Sequence, residues 1–490
     1  MTWGGSVLGS HNDLARSVDA LETGSGTLIV VPSITVDSAE LAKIPGAVHF
    51  EERMLWLLQT LRNPRARIVY VTSYSLSAKL VEYSVSLVDA VKARDRLELV
   101  SCDDLRPVSL TSKVLERPDV QRRIREAVKP ASAAVMMCHV ATELEGRLAS
   151  ALGASLFACD PSLSDLGTKS ASRDVFREAD VPFPDGEEHL HDRGEVVAAL
   201  VALRARKPEI RKAVVKLNDS FAGGGNGLFT FSTLDSGGPA GISRQLERLD
   251  FVAADETHDR YFSAFERMGG IVEEFIEGSN KTSPSAQCII APDGSVRVAA
   301  THEQILGGVS NQTYFGCRFP AGPAYAQSIG DAAERIAKIL GRKGVSGHIS
   351  IDFVCVEQGQ TWDHYAIEVN LRMGGATAPI SFLEAATGSR YDRDIGRFID
   401  SGGRSLAYTS ADRIQSDRYK KLDSGTLLDA AGREGLLFDR MTGQGSILYM
   451  LGALTTVGKL GMIAIDHDPE SADARYKQTL EFVGEHSPRP

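Results

Sequence analysis

No stretch of this chain is apolar for the ~20 residues that an α-helix needs to cross a bilayer, so no membrane partner is expected. Cysteine is sparse: the six, at 102, 138, 159, 288, 317 and 355, include no close pair, which excludes CxxC redox motifs and the usual zinc-ligand spacings. Reduced, buried thiols are the expectation. Basic excess is also missing. With 54 Lys and Arg against 64 Asp and Glu, the net charge of −10 argues against general nucleic-acid binding. A nucleotide pocket needs only about two or three local cations and stays open. Residues 1–14 lack the basic start and apolar core of a signal peptide, so a cytoplasmic location is expected. Neither a GxxxxGK[ST] loop nor a GxGxxG turn stands after a strand. Repeats and low-complexity segments are absent as well.

What is present reads as a globular enzyme of roughly two to four units, 43% hydrophobic and 24% charged. The first third alternates β-branched runs (27–31, 68–72, 133–140) with helical patterns. In the clearest of these, 51–61, Met54, Leu57, Leu58 and Leu61 share a helix face before Asn63 and Pro64. A doubly wound α/β unit over 1–160, ending near Cys159, follows from that alternation. The middle unit, 161–400, reads as α+β, with a lid over roughly 180–270. It predicts a helix at 170–179, strands at 213–217 and 271–276, a hairpin joining 286–290 to 296–300, and a helix at 325–340 closed by Gly341. Residues 401–490 read as a small accessory unit, with a small-residue apolar segment at 445–460 and a closing helix at 471–483.

The most informative stretch is the pair 348–356 and 364–372. In the first strand Ile349, Ile351, Phe353 and Cys355 alternate to one face and leave Asp352 on the other. In the second, Tyr365, Ile367, Val369 and Leu371 form the apolar face, while Glu368, Asn370 and Arg372 share the opposite one. A turn through Gly359 makes the two antiparallel neighbours. Two carboxylates and an amide oxygen form a hard-oxygen donor set suited to Mg²⁺, and also to Mn²⁺. Arg372 at the end of the row can stabilise charge on a transferred phosphoryl group. By itself such alternation also fits a solvated strand face.

A glycine run supplies the complement. The strand carrying Lys216 leads through Ser220 into Gly223, Gly224, Gly225 and Gly227, where backbone N–H groups can approach phosphates. A glycine run alone also fits a linker. Lys169, ahead of the 170–179 helix, is a second candidate for phosphate. Glu273, Glu274, Ile276 and Glu277 lie on a short strand that can read a base edge: Glu273 can accept from an adenine amino group and Glu277 can reach ribose hydroxyls. His302, Glu303 and Arg318 are weaker candidates for an acyl site, and the Gly374–Gly375 amides for an oxyanion.

In order, Lys169, Lys216, GGGNG at 223–227, EEFIEG at 273–278, Asp352 and EVNLR at 368–372 resemble the ATP-grasp superfamily. The flanks, IVVPSI with HFEERMLWLLQTLRNP at the start and ILYMLGALTTVGKLGMIAI near the end, look like those of the pheganomycin-type peptide ligases. The resemblance implies a pre-ATP-grasp domain, an ATP-grasp domain and a C-terminal domain. It further implies ATP held by Lys169, Lys216, the Gly223–Gly227 lid loop and the 273–277 strand, with Glu274 and Ile276 using backbone atoms. Asp352, Glu368 and Asn370 would bind one or two Mg²⁺ ions, and Arg372 would assist an acyl phosphate step. Many relatives carry Glu where this chain has Asp352. The implied activity joins an amino-acid-like carboxylate to the amine of an amino acid or peptide in natural-product assembly. A kinase, a carboxylase-type reaction and a non-catalytic nucleotide-binding regulator are the alternatives, and a homodimer is the default assembly.

Overall fold

The computed structural model describes residues 11–36, 38–129, 132–220, 224–232, 238–253, 256–307 and 313–487. Its first sheet is parallel: β1 (Gly26–Val31), β2 (Arg67–Thr72), β3 (Leu97–Ser101), β4 (Ala133–Cys138) and β5 (Ser155–Leu156), in the order β3-β2-β1-β4-β5. Both faces are covered. Leu28, Val30, Ile68 and Tyr70 point into one core, and Ile29, Val31, Val69 and Val71 into the other. That two-sided burial is why these strands read as continuous apolar runs.

The helix expected at 51–61 is corrected in type. Ala47–Arg62 winds as a 3₁₀ helix, which carries residues at three-residue steps onto one line. His49, Glu52, Leu55, Leu58 and Leu61 form such a line, and all are buried. Trp56 and Leu57 are buried beside them, so the segment is wrapped on more than one side, which a one-face pattern does not foresee.

A second, antiparallel sheet contains β6 (Gly186–Leu190), β7 (Lys212–Leu217), β8 (Asn226–Thr230), β9 (Asp250–Phe251) and β10 (Gly270–Glu274), in the order β6-β10-β7-β8-β9. It has a core of its own, where Val196, Leu200 and Leu203 of helix Arg193–Arg206 meet Phe229, Ile242 and Phe265. Each such fully buried side chain contributes roughly 1.5–3 kcal/mol to that packing. This unit occupies the span expected for the lid.

The third sheet has 11 strands: β11 (Lys281–Thr282), β12 (Pro284–Ile290), β13 (Val296–Gly307), β14 (Thr313–Phe319), β15 (Gly347–Gln358), β16 (Thr361–Asn370), β17 (Tyr391–Asp392), β18 (Arg397–Ile399), β19 (Ser405–Gln415), β20 (Gly445–Tyr449) and β21 (Lys459–Asp466). Helix Ala326–Arg342 covers β12 and β13, and runs past Gly341 to leave at Gly344, whose φ is +96°. Because β19 pairs with both β14 and β21, the sheet continues across residue 401 without a break. Helix Pro469–Glu485 packs against β19 and β21. All six cysteines are free and buried. Among the described residues no helix is long and apolar enough to cross a membrane.

Candidate active site

β15 and β16 form the expected hairpin, turned tightly at Gln358–Thr361 through Gly359, whose φ of +65° suits glycine. Asp352 stands opposite Glu368 in the ladder, and Ser350 opposite Asn370. One detail is corrected. A bulge at Ile367 shifts the register between Asp352 and Phe353, so Ala366, rather than Tyr365 or Ile367, fills the buried face beside Phe353. The polar row survives because the bulge lies beyond Glu368.

Asp352 accepts from Gln304 Nε2 at 2.7 Å and from Asn370 Nδ2 at 3.2 Å. Its carboxyl is pushed up to about 7, first by burial and then by the neighbouring Glu368 charge, against the opposing pull of Arg372, Gln304 and Asn370. A buried carboxyl raised by a neighbouring carboxylate marks a place where a cation would be stabilised. Among the described residues no three His, Cys, Asp or Glu side chains converge. The candidate donor set of two carboxylates and the Asn370 amide oxygen would suit an ion that completes its shell with water and phosphate oxygens.

Lys169 connects this hairpin to the glycine turn. It is 3% exposed, and its Nζ lies 3.5 Å from Glu368 Oε1 and 3.3 Å from Ser220 Oγ. Thr168 caps helix Lys169–Glu178, and the Asn218 side chain accepts from Ser170 N at 3.0 Å, which docks the helix start on the turn. β7 and β8 flank that turn with Lys216 opposite Asn226 and Val215 opposite Gly227. Gly225 packs closely: a β-carbon there would stand 2.5 Å from Ser220 Cβ. Its carbonyl accepts from Leu217 N and from Tyr261 Oη. Gly224 lies on the turn beside it, and Gly223 lies outside the described residues.

A cavity of about 460 Å³ opens between residues 207–211 and the segment following β10, with Glu274, Ile276, Glu277 and Tyr365 on its wall. Ile276 O accepts from Lys281 Nζ at 3.0 Å, and Glu277 pairs with Arg211 at the lip. Glu274 accepts from Lys207 Nζ and from Asp185 N. Glu273 departs from the expectation that it meets a base. Its carboxylate faces away from the cavity, takes Lys216 Nζ at 2.5 Å and lies 3.4 Å from Arg173 Nη1. The alternation of β10 explains this, because Glu273 and Lys216 share one sheet face as diagonal neighbours.

The weaker acyl-site candidates are each engaged within the protein. His302 is buried against Tyr408 Oη, Glu303 accepts from Tyr325 Oη, and Arg318 pairs with Asp473. Gly374 N–H donates to Thr377 Oγ1 at 2.9 Å, so it is already used. Arg173, Gln304 and Lys207 were not legible as site residues. Their partners lie 100, 48 and 67 positions away, and no local pattern marks such contacts.

Known proteins settle the family. An ATP-grasp model described as IQCH-like matches residues 161–238 and 251–394, and a PGM1 C-terminal domain model matches 426–479. The L-propargylglycine–L-glutamate ligase of Streptantibioticus cattleyicolor is 31% identical over 482 residues, 96% of each chain. The chain belongs to the ATP-grasp ligases. This ligase resembles solved structures at low identity, which speaks to fold alone. A biotin carboxylase from Campylobacter jejuni in a beta-gamma-ATP complex is 12% identical, with TM-score 0.56 over 94% of this chain and 92% of that one. The biotin carboxylase domain of the Hydrogenobacter thermophilus 2-oxoglutarate carboxylase is 13% identical, with TM-score 0.55 over 93% and 89%. Like its pheganomycin-type relatives, the ligase uses ATP to form carbon–nitrogen bonds with release of ADP. It combines an α/β first domain, an ATP-grasp core and a C-terminal domain.

Proposed function

We propose that this ligase joins the carboxylate of one amino-acid-like substrate to the amine of another amino acid or a peptide, through an acyl phosphate, in natural-product assembly. The relative from Streptantibioticus cattleyicolor, named for L-propargylglycine and L-glutamate, supports substrates of that size and type. One observation carries the reading: Lys169 reaches both Ser220 of the glycine turn and Glu368 of the acidic hairpin. A phosphate chain lying between turn and hairpin would have a cation beside it and backbone amides above it.

The adenine would enter the 460 Å³ cavity along Glu274–Glu277, with Glu274 and Ile276 offering backbone atoms and Glu277 the ribose contact. Lys169, Lys216, Ser220 and Gly223–Gly227 would hold the phosphates, and Glu273 would fix Lys216 for that task. Asp352, Glu368 and Asn370 would hold one or two Mg²⁺ ions, or Mn²⁺, which would supply positive charge against the phosphates of ATP. A substrate carboxylate oxygen attacks the γ-phosphorus, the bond to the ADP oxygen breaks, and Arg372 stabilises the charge that develops. The neutral amine then attacks the acyl carbon, the C–O bond to phosphate breaks, phosphate leaves with its electron pair, and the proton lost from nitrogen ends on that phosphate. Closure of the glycine turn keeps water from the acyl phosphate. Small-molecule carboxylates and amines are the partners, and a homodimer is the assembly we favour.

The test is a screen of paired carboxylates and amines for ADP release, with mass analysis of the product. ADP and an amide should appear only when both substrates are present. A stable phosphorylated product from one substrate would make the enzyme a kinase instead.

A further inference from the structure

A second, mainly apolar cleft lies beside the segment that follows Arg372, and the nucleotide and cation sites described above do not account for it. Arg53 of the 3₁₀ segment, His139 after β4, Met373, Gly374, Gly375 and Asp412 of β19 line it. It adjoins the reacting end of the site: Met373, next to Arg372, donates its N–H to His139 O at 3.3 Å. Four separated parts of the chain therefore converge here, and the polar pair among them is Arg53 with Asp412.

That pair is informative. The Arg53 guanidinium binds Asp412 Oδ2 directly, with the two side chains only 19% and 8% exposed. Arg53 also lies over the Phe50 ring at 4.4 Å, and Lys459 Nζ lies 4.4 Å from the same ring. Two cations thus stand around one carboxylate, and Arg372 adds a third nearby. Burial, helped by the Arg53 and Arg372 charges, holds the His139 ring neutral, down to about 3. An ion pair so far from water returns little net stability, because desolvation offsets the attraction. A zwitterionic amino acid presents the complement of the pair: its α-carboxylate matches Arg53 and its ammonium matches Asp412. Binding would exchange one protein ion pair for two protein–ligand pairs.

The cleft has about 10 Å³ of free volume, room for about one water, so a ligand must enter by separating Arg53 from Asp412. Met54 and Trp56 supply an apolar wall for the carbon skeleton. Gly375 packs closely against the Tyr314 ring, where a β-carbon would stand 2.6 Å from it.

We propose that Arg53 and Asp412 form the head-group clamp for the amine-donating amino acid, Arg53 taking its α-carboxylate and Asp412 accepting from its amino group, which arrives as ammonium and releases one proton to solvent before attack, beside the carbonyl activated at Arg372. The clamp rests on the ligase reading above and makes Arg53 and Asp412 positioning residues. It requires an amine substrate with a free α-carboxylate.

The test compares L-glutamate with 4-aminobutyrate, which differs only by lacking the α-carboxylate, as amine donors for wild type, Arg53→Lys, Arg53→Met and Asp412→Asn. Losing a charge-assisted bidentate contact should raise the KM for L-glutamate roughly 10- to 100-fold in Arg53→Met, and less in Arg53→Lys. The KM for ATP should stay within about twofold. Wild type should prefer L-glutamate, and Arg53→Met should lose that preference. Asp412→Asn should raise the KM for both amines. Thermal melting of each variant separates a folding failure from a binding loss, and direct calorimetric titration of L-glutamate reads the clamp without turnover. An unchanged KM for L-glutamate in folded Arg53→Met and Arg53→Lys, or an equal fall in kcat for both amines, would overturn the clamp while leaving the ligase intact. Wild type that forms no amide from any carboxylate and amine would instead remove the ligase reading, and the clamp with it.

Discussion

Replacing Glu273 by Gln removes the charge shared by two buried cations. The Lys216, Glu273 and Arg173 side chains are 7%, 4% and 2% exposed, so solvent screens the loss little. Arg173 keeps Glu188 at 2.8 Å and Pro184 O, whereas Glu273 is the ion-pair partner that the structure gives Lys216. Breaking one side of such a pair costs about 3–5 kcal/mol, and the retained amide contact points to the lower end. A local loss of about 3 kcal/mol corresponds to roughly 100-fold faster hydrogen exchange at amides of β7 and β10 if the lid opens as a unit. Exchange in the parallel sheet of β1–β5 should not change. A double variant, Lys216→Met with Glu273→Leu, removes both charges and should recover part of the loss. Saturating ATP should narrow the difference between Glu273→Gln and wild type, because phosphates then offer Lys216 a partner. Unchanged exchange in β7 and β10, or a double variant worse than the sum of its singles, would refute the reasoning.

Two further outcomes follow from contacts elsewhere in the molecule. Gly225→Ala places a β-carbon 2.5 Å from Ser220 Cβ and 2.8 Å from its Oγ, so the turn must spread at a cost of about 1–3 kcal/mol. Its KM for ATP should rise about tenfold with the circular dichroism spectrum unchanged, and a wild-type KM would contradict the turn's role. Glu52, buried beneath the 452 loop and accepting from Tyr74 Oη and Gly452 N, has its carboxyl pushed up to about 7 by burial. A carboxyl raised in the folded state adds stability that is full below its unfolded value near 4.5 and is lost as pH climbs to about 7. Glu52→Gln should therefore gain on wild type in melting temperature between pH 5 and pH 8, and a pH-independent difference would contradict the assignment.

The hairpin was legible because a strand's two-residue period puts Asp352, Glu368 and Asn370 on a polar face wherever the opposite face is buried. The bulge at Ile367 was not, since an extra residue in one strand leaves no mark in that strand's own pattern. The glycine turn and Lys169 were readable as separate features, and their meeting at Ser220 arises only when helix Lys169–Glu178 docks on the turn. Glu273 was misassigned because its partners, Lys216 and Arg173, come from other elements, and local sequence cannot tell a cavity-facing carboxylate from one held in an ion pair. The same limit hid Arg53 and Asp412, which lie 359 positions apart. The 3₁₀ form of 47–62 escaped because burial on several sides erases the periodicity from which helix type is read.

The central claim is that Asp352 and Glu368, opposite each other on β15 and β16 and reached by Lys169, form the phosphoryl-transfer site of an amide-forming ligase. Its most direct test is ADP release, with product mass, from Asp352→Asn and Glu368→Gln in the presence of a productive carboxylate, amine and Mg–ATP. Both substitutions keep side-chain shape, so melting should stay near that of wild type while ADP release and amide yield fall together by about 1000-fold or more. Folded variants that release ADP and form amide at near wild-type rates would contradict the account.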